Sequence, residues 1–272
     1  MNNNKPKVII LAAGEGKRLH PLTLDNPKCL TEIFGKKLLE WQLDVFRELQ
    51  FDDISIVRGF QAEKINFTDL NYYNNDNFHS TNMLETLFCA REKLQDSVIV
   101  VYGDIIFEKK IIQKLLESTD DLAVVVDKKW ENYWRARFSN PLDDAESLIV
   151  DKNDFITNIG QKTTNLDHIQ GQFIGLMKFQ NHGLKFLIEC YDKVKNIAKD
   201  GRNLLNPKLS FEKSYMTDFL QFLITDGAKL KAVYIDNGWL ELDSIEDYRI
   251  YQDLQKTGSL SNFFELSNTT DK

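Results

Sequence analysis

A glycine-containing turn that follows directly on an apolar, β-branched run constrains this chain more than any other feature. Val8, Ile9, Ile10 and Leu11 form a short apolar run bounded by Lys7 and small residues, which predicts a buried strand. The chain continues Ala12-Ala13-Gly14-Glu15-Gly16-Lys17-Arg18-Leu19-His20-Pro21-Leu22-Thr23, with Pro27-Lys28 close behind. Small side chains and glycines let a backbone approach a ligand closely, and unpaired N–H groups there can hold phosphate oxygens. Lys17, Arg18 and Lys28 add positive charge. Neither G-x-x-x-x-G-K-[ST] nor G-x-G-x-x-G is present, and a bare G-x-G is equally compatible with a tight turn.

Beyond this turn, short β-type runs alternate with helical stretches. Leu39, Leu43, Phe46 and Leu49 share one helical face, and Ile54 to Val57 reads as a second strand. Leu84, Leu87 and Phe88 mark another helix, followed by strands at Ser97 to Tyr102 and Leu122 to Val126. This order predicts parallel β-α-β units and a Rossmann-like, doubly wound α/β sheet. Ligands in such sheets bind beyond the carboxyl ends of the strands. Between residues 130 and 179 the pattern shifts to short strand-like pieces, including Arg135 to Phe138, Ser147 to Val150 and Phe173 to Phe179. A small antiparallel extension or lid over about 128–180 is expected there. Helical signals return at 183–194 and 216–224, a late strand is predicted at 231–235, and Ser244 with Asp247 reads as a helix start. One domain over 1–258 and a polar tail over 259–272 that frays are the expected organisation.

Composition closes off several classes. Asp and Glu outnumber Lys and Arg by 41 to 34, which argues against a nucleic-acid partner. The apolar run at 8–13 is too short to span a membrane. Cys29, Cys89 and Cys190 are far apart, which argues against a disulfide framework and for a reducing, cytoplasmic setting. His20, His79, His168 and His182 show no metal-ligand spacing.

Two aspartates stand where metal-assisted chemistry would need them. Asp104 follows the apolar strand at 98–101, and Asp243 follows Trp239-Leu240-Glu241-Leu242. Mg²⁺ prefers one or two carboxylates plus substrate phosphates. Taken singly, each could also be a turn or capping residue.

The string L-A-A-G-x-G-x-R-L-x-P-L-T with P-K a few residues later resembles the signature of the sugar-nucleotide and choline-phosphate type nucleotidyltransferases. The resemblance is tight at 8–28, good at 98–104 and 239–248, and loose at 127–212. It implies a Rossmann-like fold, a Mg²⁺ cofactor held by Asp104 and Asp243, and a loop that wraps a triphosphate. Leu11, Ala12, Ala13, Gly14, Glu15, Gly16 and Lys17 would then line the nucleotide, with Arg18 and Lys28 as the catalytic cations. In place of the sugar-specific Q-x-x-G-T-A-type segment stands Phe78-His79-Ser80-Thr81-Asn82-Met83. Its T-N pair resembles cytidylyltransferases acting on choline phosphate or 2-aminoethylphosphonate. Ser80, Thr81 and Asn82 would read CTP, with Gly59 under the base; a helix cap is the alternative role for Ser80 or Thr81.

The acceptor is less legible. Trp130, Tyr133 and Trp134 either pack at a sheet edge or hold an acceptor ammonium by cation–π attraction, and packing is the commoner reason for such clusters. Lys162 stands where sugar-specific members carry E-K-P, but the acid is missing, so a sugar phosphate is disfavoured and a phosphate contact stays open. Glu241 is a further acceptor or metal candidate. The implied activity couples CTP to a small phosphorylated or phosphonate acceptor with release of pyrophosphate, for surface glycan or lipid decoration. Phosphoglutamine-type acceptors, sugar-1-phosphates with UTP, dTTP or GTP, and a non-catalytic nucleotide-binding regulatory module are the alternatives.

Overall fold

The computed structural model describes residues 5–266. Its centre is a nine-stranded mixed sheet. The first half supplies β1 (Lys7–Ala12), β2 (Glu32–Ile33), β3 (Lys36–Lys37), α1 (Leu38–Glu48), β4 (Ile54–Arg58), β5 (Asn71–Asn74), α2 (Met83–Cys89), β6 (Ser97–Tyr102), β7 (Ile105–Phe107), α3 (Lys109–Glu117) and β8 (Leu122–Asp127). The second half supplies α4 (Trp130–Arg137), β9 (Glu146–Val150), β10 (Phe155–Lys162), β11 (Gln172–Gln180), α5 (Asn181–Ala198), α6 (Met216–Thr225), β12 (Leu230–Ile235), β13 (Trp239–Glu241) and α7 (Ile245–Thr257). The sheet order is β5-β4-β1-β6-β11-β8-β12-β10-β9. β1 pairs in parallel with β4 and β6, and β12 with β8, whereas β11 and β10 run antiparallel to their neighbours.

Strand alternation divides the core between the two faces. Val8, Ile10, Ile99, Val101, Ala123 and Val125 face one cluster with Leu39, Phe46, Ile112 and Tyr133; Ile9, Leu11, Val98, Val100, Val124 and Val126 face another with Leu87, Leu187 and Phe219. Central strands buried on both sides read as unbroken apolar runs, which is why 8–11 and 98–101 stand out in the sequence. No helix among the described residues is long and apolar enough to cross a membrane.

Two expectations change and one is met. Arg135 to Phe138 is not strand: Trp130–Arg137 is a helix. Trp130, Tyr133, Trp134 and Arg137 have helical spacing and are buried together, while Glu131 and Arg135 pair at i,i+4 on the outer side. The expected antiparallel extension is present: β9 and β10 extend the sheet edge, while β11 inserts between β6 and β8, because Phe179, Met177 and Leu176 are apolar enough for its centre. Beyond Gly258 the chain does not fray at once: Leu260 and Phe264 are buried, Phe264 sets its ring edge-on to Trp41 at 5.9 Å, and Gly238 N–H donates to Phe263 O at 2.7 Å. Residues 267–272 of the expected tail lie outside the described residues.

A second sheet of two strands pairs β7 antiparallel with β13: Ile105 faces Glu241, Ile106 faces Leu240 and Phe107 faces Trp239. The turn between β6 and β7 is held by Gln42, a buried polar residue on the apolar face of α1. Its Nε2 donates to Tyr102 O at 2.7 Å and to Ile105 O at 2.6 Å. Replacing Gln42 by Leu leaves both carbonyls without this donor. Such a loss costs about 1–3 kcal/mol, a fall in melting temperature of about 5 °C for a chain of this length. A calorimetric scan of Gln42→Leu checks it, and an unchanged melting temperature would show that the turn holds itself.

Candidate active site

The carboxyl ends of β1 and β6 lie side by side, and the turn after β1 opens there. Gly14 is exposed and has open space where a Cβ would stand. Gly16 is in the left-handed region at φ +74°, and a Cβ on it would lie 2.9 Å from Cβ of Lys28. Glycine therefore meets two demands at once, a reversed backbone and room for the lysine stem. Thr23 Oγ1 donates to Gly16 O at 2.7 Å and closes the turn.

Lys28 is the hub. Its Nζ lies 2.7 Å from Asp104 Oδ2 and 2.7 Å from Asp243 Oδ1. Arg18 also pairs with Asp243. The two aspartates meet because β7 and β13 are paired and because Leu242 N–H donates to Asp104 O at 2.9 Å, which carries each carboxylate to the same end of the ribbon. Burial alone would discharge Lys28, but the carboxylates of Asp104 and Asp243 outweigh it and hold the amine above the ordinary lysine value. Asp243 is half-buried, which would raise it, yet the ammonium of Lys28 and then the guanidinium of Arg18 pull it below the usual carboxylate range. Glu241 is pushed up to about 7, by burial against the opposing charge of Arg137, with Asp243 and Asp104 adding to the rise.

The residues suit a divalent cation in part. Asp104 Oδ1 is a buried carboxylate oxygen with no hydrogen-bond partner, which is the kind of atom a hard cation takes. Among the described residues no group of three or more His, Cys, Asp or Glu is placed to hold an ion. The protein can thus offer the Asp104 and Asp243 carboxylates, and phosphate oxygens and water would have to complete the shell.

Other predicted site residues fall out differently. Leu11 and Ala12 are members of β1, paired with Val57 and Arg58 of β4, and Leu11 O accepts from Gly103 N. They shape the floor, and the open turn starts at Ala13, whose carbonyl accepts from Phe60 N. Glu15 lies 3.5 Å from exposed Lys17. Gly59 is required by the protein itself: a Cβ there would lie 2.6 Å from Ala13 O and 2.8 Å from Phe78 Cβ. Ser80 Oγ and Thr81 Oγ1 donate to Asn77 O, and Asn82 Oδ1 accepts from Met83 N as the N-cap of α2. The cap is therefore Asn82 and not Ser80 or Thr81, whose hydroxyls close the preceding turn instead; beside it Lys213 Nζ donates to His79 O at 3.0 Å.

The aromatic acceptor cage is corrected. Trp130, Tyr133 and Trp134 are almost wholly buried, packed on one another and on Trp239. The cation over Tyr133 and Trp134 is Arg137, at 5.3 and 5.5 Å from the ring centres. Glu241 is likewise engaged, 2.9 Å from Arg137 Nη1. Lys162 ends β10 and is exposed, in register with Glu146 on β9. Sequence reasoning passed over Gln42, Arg137 and Glu146. A polar residue inside an apolar helical stripe was the available signal for the first two.

Comparisons with known proteins show the family. The model of the MobA-like NTP transferase domain matches residues 8–203. A CTP:phosphoglutamine cytidylyltransferase of Campylobacter jejuni is 37% identical over 254 residues, covering 89% of this chain and 97% of that protein. A choline-phosphate cytidylyltransferase of Streptococcus pneumoniae is 32% identical over 117 residues, which is 42% of this chain and 51% of that one. The solved structure of a CTP:phosphocholine cytidylyltransferase from S. pneumoniae superposes with a TM-score of 0.73 at 20% identity, over 92% of this chain and 99% of that one, and shares the fold. The glycine turn, the strand-end aspartates and these matches together establish that the chain is a nucleotidyltransferase of the MobA-like NTP transferase family.

Proposed function

We propose that this enzyme transfers the cytidylyl group of CTP to a phosphate oxygen of a small phosphorylated acceptor and releases pyrophosphate. The observation that carries the reading is Lys28 set between Asp104 and Asp243 under an open, glycine-lined turn. In this reading the acceptor oxygen forms a bond to the α-phosphorus, and the bond from that phosphorus to the β-phosphate oxygen breaks. The backbone of residues 13–16 and the exposed side chains of Lys17 and Arg18 hold the leaving diphosphate. Lys28 places its charge between the two reactants, and no protein nucleophile is needed. A Mg²⁺ held by Asp104 and Asp243 would supply Lewis-acid neutralisation of phosphate oxygens. The free cysteines suit a reducing, cytoplasmic setting.

The relative that acts on phosphoglutamine favours an acceptor bearing an ammonium group as well as a phosphate. Glu146 supports that choice. Its backbone N–H and carbonyl pair with Gln172, and its carboxylate has no ion pair or hydrogen bond among the described residues. Burial lifts it to about 7, with Asp144 and Asp218 adding and Lys162 opposing. A carboxylate with no direct ion-pair partner is suited to a cationic ligand group.

Phosphorus NMR of CTP, UTP, GTP and dTTP against phosphoglutamine, phosphocholine, 2-aminoethylphosphonate and glucose-1-phosphate tests the reading. Pyrophosphate is expected with CTP and an ammonium-bearing acceptor; turnover confined to UTP and glucose-1-phosphate overturns it. Lys28→Ala should lower kcat roughly 10²–10³-fold, as for loss of one charge-stabilising donor, and a near-normal rate removes Lys28 from the mechanism. Glu146→Gln should raise the acceptor KM and leave that for CTP unchanged. Because its folded value lies above the ordinary carboxyl value, ionising Glu146 costs stability as pH rises from about 4.5 to about 7. Melting curves should therefore show Glu146→Gln more stable than the parent at pH 8, with the gap closing toward pH 4.5; a pH-independent gap would contradict the assignment.

A further inference from the structure

The segment that carries Asp243 has no regular structure of its own, since it lies between the end of β13 at Glu241 and the start of α7 at Ile245. Something must fix it. Asp247, almost wholly buried, reaches back from the first turn of α7: its Oδ2 accepts from Asp243 N at 3.1 Å, Ser244 N at 2.9 Å and Ser244 Oγ at 2.9 Å. Asp247 is gripped in turn by Arg137, with Nε to Oδ1 at 2.8 Å and Nη2 to Oδ2 at 3.2 Å. The third arm of the same guanidinium, Nη1, lies 2.9 Å from Glu241 Oε2. Arg137 therefore bridges both ends of the segment, at 241 and 247, with Asp243 between them.

The guanidinium is locked from behind. Its side chain is only 1% exposed and lies against Tyr133, Trp134 and Phe138, with ring centres at 5.3, 5.5 and 5.1 Å. Glu241 N also donates to Tyr133 Oη at 2.8 Å, so α4 holds the segment by backbone as well as by charge. A planar fork can grip a carboxylate with two nitrogens and offer the third to a different acid, which the single nitrogen of lysine cannot do. A charge pair buried this deeply is weak evidence for stability alone, because desolvation offsets the attraction.

We infer that Arg137 is a positioning residue that presents the Asp243 carboxylate, through Asp247 and Glu241, to the cation and phosphates of the reaction. It touches no reacting atom itself. The inference rests on the reading of Asp104 and Asp243 as the cation site, and the test separates the two. Mn²⁺ is titrated into the full chain with CTP present and free ion read by electron paramagnetic resonance, for the parent, Asp243→Asn, Arg137→Lys and Ser244→Ala. Folding of each is followed by melting temperature.

Asp243→Asn should weaken Mn²⁺ binding. Arg137→Lys should weaken it about tenfold, as is usual for residues that orient metal ligands, and raise the Mn²⁺ KM more than the KM for CTP. Should Arg137→Lys not fold, Ser244→Ala, which leaves the guanidinium in place and removes the two bonds that Ser244 Oγ makes with Asp247, should still weaken binding in the same direction. If Asp243→Asn binds less Mn²⁺ while Arg137→Lys and Ser244→Ala bind it as the parent does, the positioning role is overturned and the cation site stands. Parent-like binding by Asp243→Asn would overturn both.

Discussion

The site depends on the pairing of β7 with β13. These strands contribute three residues each, yet they bring together two aspartates that lie far apart in the chain. Register matters more here than strength. A slip of one residue would turn alternate side chains to the other face and separate Asp104 from Asp243. The register is held by what the strands bury: Ile105, Ile106, Phe107, Trp239 and Leu240 are all almost wholly buried. Gln42 below and Leu242 N–H above fix the turn that presents Asp104.

Around that pairing the protein balances charge internally. Asp104, Glu241 and Asp243 face Lys28, Arg18 and Arg137, and each acid of the group contacts at least one of these cations. Removing two carboxylates from water without counter-charge would be prohibitive, so the cations belong to the fold as much as to the chemistry. The cations divide by location. Arg18 is exposed and Lys28 stands under the open turn, whereas Arg137 is sealed among aromatic rings. In the proposed reaction the first two would exchange a carboxylate partner for phosphate. The third has no path to solvent and serves geometry.

Much of the fold was legible because both faces of the central strands are covered. Strands β1, β6 and β8 read as continuous apolar runs, and the glycine turn after β1 could be placed at a carboxyl end from order alone. α4 was misread because its aromatic residues suggested strand or ligand surface, although Trp130, Tyr133, Trp134 and Arg137 repeat with helical spacing. β11 could not be placed from its own residues. An apolar nine-residue strand suits an edge, a lid or a sheet centre, and only the gap between β6 and β8 selects among them. Leu260 and Phe264 were hidden in a polar stretch, where two apolar residues are too few to show a period.

The amino-acid sequence by itself determined the local chemistry: a turn that only glycine can make, cations beside it, and aspartates at strand ends. Those are properties of neighbouring residues, and φ preferences, small side chains and strand periodicity act over a few positions. Tertiary structure alone decided which distant groups share a site. It joined Lys28 to Asp104 and Asp243, turned the tryptophans inward around Arg137, and left the Glu146 carboxylate without a direct ion pair. The reason is that ion pairing and burial act between groups brought close in space, and that closeness is set by strand register and by which apolar surfaces are left to cover one another.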